Sequence, residues 1–248
     1  MMPSKKWNYG DAYLRHPISD NQLVVFDNRS VVKVHDIFDP LPCFMKQADV
    51  IFTDPPWNLG NLNTFYMKAQ KQERHKSFER FYLRLFECIA DINPRSCYVE
   101  VGKTYLSEFI YEMKKLYKYV TFYNSCYYHR KENICYIVHG SCKRKKLPLD
   151  YTDEEDAIAW VCENEEYDCI GDLCMGRGLI GVNAYKNGKR FVGTELNHKR
   201  LAVLLERIVN MGGTYKLIKY SPCRPASLPT TASSLFSGQD IRHDCRQL

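Results

Sequence analysis

An apolar run, Asp168 to Leu173, leads straight into Met175-Gly176-Arg177-Gly178, and apolar spacing resumes as a helical pattern from about Leu179 to Asn187. A strand, a glycine turn and a helix in that order form a unit that buries one face against a sheet, and repeating it builds a parallel sheet. The chain repeats it. Gln22 to Phe26, Ser30 to Val34, Ala48 to Thr53, Ser96 to Val101, Asp168 to Leu173 and Arg190 to Glu195 read as strands. Helical spacing marks Phe78 to Ile92, Thr104 to Leu116, the stretch from Thr152 to about Cys162, and His198 to Met211. Val120 to Tyr128 and Ile134 to His139 read as an antiparallel hairpin, and Tyr215 to Tyr220 as a last strand. The expected fold class is α/β: a mostly parallel sheet with one antiparallel hairpin and helices on both faces. In such sheets ligands bind beyond the carboxyl ends of the strands.

Composition excludes several classes. Hydrophobic residues make up 45% and charged residues 26% of 248 residues, as in ordinary globular proteins. No apolar run approaches the ~18 residues that span a bilayer, and no secretory signal opens the chain. The expected location is cytoplasmic, or nuclear in a eukaryote, with no membrane partner. The 11 cysteines are therefore expected to be reduced. Cys126, His129, Cys135, His139 and Cys142 lack a paired metal-ligand spacing and fall on strands whose neighbours face opposite ways, so no metal is expected. The net charge is +6, but Asp150 to Asp168 holds nine of the 29 acidic residues and no Lys or Arg. A basic body with one acidic segment suits a polyanion such as nucleic acid, or is simply a solvated surface.

Two stretches carry chemistry. In Asp172-Leu173-Cys174-Met175-Gly176-Arg177-Gly178-Leu179-Ile180-Gly181 the glycines allow close backbone approach, and Glu195 follows Gly176 by 19 residues at the end of the next strand. That pattern cradles an adenosine cofactor, with the carboxylate on the ribose hydroxyls. NAD would set its pyrophosphate on the helix N-terminus. S-adenosylmethionine has no phosphate and two cationic groups, which suits Asp172 better. The second stretch, Thr53-Asp54-Pro55-Pro56-Trp57-Asn58, follows a buried strand. The exocyclic amine of a nucleobase is a poor nucleophile because its lone pair is delocalised into the ring. Asp54 and the Pro55 carbonyl can each accept one amine hydrogen and direct the lone pair at an electrophile. Pro55 and Pro56 hold that carbonyl in place beforehand, and Trp57 offers a stacking face.

Asp54-Pro55-Pro56-Trp57 resembles motif IV of the S-adenosylmethionine-dependent amino-methyltransferases, which methylate N6 of adenine or N4 of cytosine. Asp172 to Gly178 looks like their motif I, and Glu195 like the acid of motif II. Motif IV precedes motif I here, the circularly permuted order of the β-class DNA enzymes, and the resemblance covers roughly residues 22–212. It implies a Rossmann-like methyltransferase fold over residues 1–220; residues 221–248, rich in Ser, Pro and Thr and poor in aliphatics, read as a disordered tail. It implies S-adenosyl-L-methionine as cofactor, held by Asp172, Leu173, Cys174, Gly176, Gly178, Glu195 and Asp36, with Asp36 at the cofactor adenine. It implies catalysis by Asp54, Pro55, Pro56 and Trp57, and an acidic helix near 152–162 closing over the methionine end. The chain departs from the family at Leu173-Cys174, where Pro-Phe is usual. It also lacks a sizeable target-recognition domain, because only Gly140 to Tyr151 separates the hairpin from the acidic helix. Target reading would then fall to the polar loop 58–76, to Asn58, Lys143, Arg144 and Lys145, or to a second subunit or homodimer partner. Asp-Pro-Pro with an aromatic favours a site-specific DNA adenine methyltransferase. N4-cytosine or RNA adenine methylation, an NAD-dependent oxidoreductase, and a non-catalytic nucleic-acid-binding subunit are the alternatives.

Overall fold

The computed structural model describes residues 9–221. The tail expected at 221–248 therefore lies, but for its first residue, outside the described residues. Ten strands form one sheet: β1 Gln22–Phe26, β2 Val31–Val34, β3 Val50–Thr53, β4 Ser96–Val101, β5 Tyr119–Cys126, β6 Ile134–Ser141, β7 Thr152–Asp153, β8 Cys169–Asp172, β9 Arg190–Glu195 and β10 Tyr215–Lys219. Their order across the sheet is β10-β1-β2-β9-β8-β3-β4-β6-β5-β7. The middle five, β2, β9, β8, β3 and β4, are mutually parallel. Antiparallel strands flank them, β1 and β10 on one side and the β5–β6 hairpin on the other.

The helices are α1 Ala12–Arg15, α2 Leu59–Lys68, α3 Glu79–Ile92, α4 Leu106–Leu116, α5 Glu154–Asn164, α6 Leu179–Lys186 and α7 His198–Asn210. They cover both faces. Ile158 and Val161 of α5, Ile180 of α6, and Leu204 and Leu205 of α7 share one core with Phe52, Tyr98, Ile170 and Phe191. Leu62 of α2, Leu85 and Ile89 of α3, and Phe109 and Met113 of α4 share the other with Ile51, Cys97 and Val99. Alternate residues of each central strand supply the two cores, as a two-sided parallel sheet requires. Three rings cross the first core in a stack: Phe52 to Tyr98 at 5.6 Å and Tyr98 to His139 at 4.2 Å, their planes nearly parallel.

Two expectations are corrected. The stretch read as a loop from residue 58 contains α2: Asn58 accepts the Asn61 N–H at 2.9 Å as N-cap, and Leu62 and Tyr66 are buried. Its many asparagines and aromatics hid a helix whose apolar side is short. The acidic helix starts one residue later than Thr152 suggested, capped by Asp153, whose Oδ1 accepts the Glu155 N–H at 3.0 Å. Among the described residues eight cysteines are free. Among the described residues no helix is long and apolar enough to cross a membrane.

Candidate active site

Each of the five parallel strands carries an acid at or just beyond its carboxyl end. Across the sheet they run Asp36 after β2, Glu195 on β9, Asp172 on β8, Asp54 after β3 and Glu100 on β4. Asp172 and Glu195 alternate in phase with Ile170 and Phe191, and Glu100 with Tyr98, so these three share the face that packs on α5, α6 and α7. A row of carboxyl groups is unfavourable without cations, and the protonation equilibria record it. Burial pushes Asp172 up to about 8, against hydrogen bonds from Cys174 and Thr53, with Asp54 and Glu195 adding to the rise. Asp54 is exposed to solvent, yet desolvation by the surrounding protein pushes it up to about 6, against the Trp57 N–H and the Arg200 guanidinium. Burial also raises Glu195, opposed by Arg200 and by the backbone N–H groups of Asn197 and Gly176. Glu100 is pushed well above the usual carboxylate range by burial and then by Asp54 and Glu154.

The two motifs meet directly. β3 and β8 are adjacent and parallel, and the Thr53 hydroxyl donates to Asp172 Oδ1 at 2.9 Å. Cys174 N–H donates to the same oxygen at 3.0 Å. Glu195 closes the glycine turn, taking the Gly176 N–H at 2.6 Å and the Asn197 N–H at 2.9 Å. One crevice is lined by Asp54 and Pro56 from one motif and by Leu173, Cys174 and Glu195 from the other. His35, Tyr66 and Arg200 are among the other residues of its wall.

The remaining expected residues divide. Trp57 is half-exposed. Its indole N–H donates to Asp54 Oδ1 at 3.0 Å, its ring packs on Gly102, where a side chain would collide with it, and the Tyr127 ring stands against it edge-on at 5.5 Å. Pro55 is buried, and no described backbone N–H bonds to its carbonyl. Gly176 takes φ +55° beneath the Arg200 guanidinium, a left-handed backbone that glycine adopts freely. Gly178, at φ +71°, does not line the crevice; the space beside it holds Leu204, so its want of a side chain serves helix packing. Asp36 stands at the rim between the lining residues His35 and Ile37, and its Oδ1 accepts the Tyr66 hydroxyl at 2.6 Å.

The residues expected at the substrate have these places in the structure. Asn58 is engaged as a helix cap. Lys145 bonds both oxygens of Glu165, at 2.6 and 2.9 Å, so its charge is spent inside the fold; Lys143 and Arg144 are exposed. Within the segment 58–76, α2 supplies Leu62, Phe65 and Tyr66 to the crevice wall, and residues 71–76 lie outside helix and strand and are mostly exposed.

Several site residues escaped the sequence reading. Arg200 sits over the Phe65 ring at 5.0 Å and faces the acids, yet it is one basic residue among many on α7. His35 lies in the crevice wall and is held neutral at pH 7, since burial and then Lys33 lower it to about 4. Glu100 had a signal that went unused: an acid inside a wholly buried strand, SCYVEV, needs a reason.

The donor set fits a cationic, phosphate-free cofactor. Asp54, Asp172 and Glu195 would oppose a pyrophosphate and attract a sulfonium or an ammonium group.

No protein-family model matches the chain, and no curated protein does. Solved structures do. A complex of M1.HpyAVI with SAM is similar at TM-score 0.50 and 12% identity, covering 71% of this chain and 98% of that one. TTHA0409, a putative DNA modification methylase from Thermus thermophilus, is similar in its S-adenosyl-L-methionine complex at TM-score 0.50 and 14% identity, over 66% of this chain and 88% of that one. Its selenomethionine form gives TM-score 0.52 and 14% identity, over 72% and 94%. At such identities the likeness is one of fold, and the chain has the Rossmann-like α/β fold of these methyltransferase structures.

Proposed function

We propose that the chain transfers the methyl group of S-adenosyl-L-methionine to an exocyclic nucleobase amine in DNA, foremost N6 of adenine. The carrying observation is the Thr53–Asp172 hydrogen bond, which sets the amine-gripping segment and the glycine turn side by side in one acidic crevice. The bound cofactor of M1.HpyAVI and of TTHA0409 supports the choice of donor. The motif order supports a β-class, permuted enzyme.

In this reading the cofactor, when bound, supplies an electrophilic methyl group. Asp172 and the turn from Leu173 to Gly176 would hold it, Glu195 would take its ribose and Asp36 would stand near its adenine. Glu195 already orders the Gly176 and Asn197 amides, so the pocket is organised beforehand. The target base leaves its stack, or comes from an unpaired strand, and lies against Trp57. One amine hydrogen goes to Asp54 and the other to the Pro55 carbonyl, which directs the nitrogen lone pair at the methyl carbon. The ionised form of Asp54 accepts more strongly than the acid; as the nitrogen–carbon bond forms the methyl–sulfur bond would break, and the surplus amine proton would pass to solvent. Positioning and charge do the work, with no covalent enzyme intermediate. Lys143 and Arg144 are exposed and available to backbone phosphates. With so short a segment between hairpin and α5, long-sequence recognition would come from a second subunit. N4-cytosine methylation is the second reading, since Asp54 and Pro55 grip an amidine-type amine on either base.

The test incubates the protein with labelled S-adenosyl-L-methionine and DNA or RNA, then identifies nucleosides by mass spectrometry. N6-methyladenine from DNA is expected. Asp54→Ala should lower transfer by about a hundredfold or more while S-adenosyl-L-methionine still binds by calorimetry. Unchanged turnover in that variant overturns the role of Asp54, and NAD binding in place of S-adenosyl-L-methionine overturns the cofactor.

A further inference from the structure

Glu100, the fifth acid of the row, is left unused by the mechanism above, and it is not alone. It pairs across the sheet with Ile137 of β6, and Cys135 lies two residues further along β6 on the same face. Glu154, the first residue of α5, closes over both. One ligand-capable atom from each, two carboxylate oxygens and a thiol sulfur, lies within 4.8 Å of the other two. Glu100 is 1% exposed and Cys135 wholly buried, and Glu100 Oε1 has no hydrogen-bond partner. None of the ion pairs among the described residues reaches Glu100 or Glu154.

Two carboxyl groups and a thiol turned toward one another in a buried place, with an oxygen left unpaired, are costly unless protons or a cation occupy the space between them. We propose that Glu100, Cys135 and Glu154 form a binding site for a borderline divalent transition-metal ion, of which Zn²⁺ is the type. The donor set decides the class. Thiolate with carboxylate suits zinc and its relatives, whereas Mg²⁺ and Ca²⁺ take oxygen alone. Three protein ligands leave a fourth position for water. Metal–sulfur and metal–oxygen bonds form as the thiol proton and the protons held on the carboxyl groups pass to solvent, so binding strengthens as pH rises. The ion would join the N-terminus of α5 to β4 and β6. Neither Cys126 nor His139, which the sequence had set beside Cys135, belongs to this group; His139 instead bonds Ser96.

The full chain, stripped with chelator and dialysed against Zn²⁺ alone, should take up one equivalent. Cd²⁺ used as a probe should raise a thiolate-to-metal charge-transfer band in the ultraviolet. Cys135→Ser should lose that band and Cys126→Ser should keep it. Glu154→Gln changes a half-buried residue and leaves the sheet intact; it should weaken Zn²⁺ binding about tenfold. A band of equal strength in Cys135→Ser, or unaltered Zn²⁺ affinity in Glu154→Gln, overturns the site. So does failure of the unmodified chain to take up Zn²⁺. None of these readouts depends on methyl transfer.

Discussion

Thr53 shows how much can rest on one hydroxyl. It ends a strand whose other residues are aliphatic or aromatic, it is fully buried, and its hydroxyl spans from β3 to the acid of β8. A valine would keep the shape and remove the donor. Asp172 would retain only the Cys174 N–H on that oxygen. Thr53→Val is expected to cost about 1 kcal/mol in urea unfolding. It should also weaken S-adenosyl-L-methionine binding, because Asp172 loses its fixed orientation. An affinity equal to that of the unmodified chain would place the bond outside the cofactor site.

Among the elements, α5 owes its start to Asp153. Asp153 caps it through Oδ1, and through Oδ2 it accepts the His129 N–H at 2.6 Å. His129 and Tyr128 sit at the hairpin tip with φ +52° and +62°, a backbone that non-glycine residues adopt only when something holds them. Asp153 thereby holds both the start of α5 and the tip that sets Tyr127 against Trp57. Asp153→Ala should cost about 2 kcal/mol, a lost cap plus a lost bond to a charged group. Amide exchange should accelerate at the tip, residues 127–133, more than in the central strands. Uniform acceleration across the sheet would contradict this division of labour.

Over the entire chain the acid row makes stability depend on pH. Asp54 and Asp172 rise from 3.8 to about 6 and about 8 on folding. A carboxyl whose folded value is raised favours the folded state fully at pH below its unfolded value. That contribution is lost as pH rises through the folded value. For these two groups the loss therefore spans about pH 4 to 8. The ligand-free protein should show a lower urea midpoint at pH 8 than at pH 5, and S-adenosyl-L-methionine should narrow the gap by supplying cations to the row. A midpoint that rises over this interval, with Asp172→Asn behaving identically, would remove the row as its cause.

Much of this architecture can be read from one dimension, and the reason is local. Strand β1 and helix α3 announce themselves because each buries alternate or periodic residues, β4 and β9 because they are short buried runs, and Pro55 and Pro94 follow element ends through proline's backbone limits. Asp54, Asp172 and Glu195 were legible because each ends such a strand. Helix α2 was not, since its buried side is brief and its cap, Asn58, looks like any loop residue. The pairing of Thr53 with Asp172, the reach of Arg200 over Gly176, the capture of Lys145 by Glu165 and the meeting of Glu100, Cys135 and Glu154 join residues far apart along the chain. Strand order across the sheet sets those neighbours, and that order follows from how the helices pack on both faces, a property no stretch of sequence carries alone.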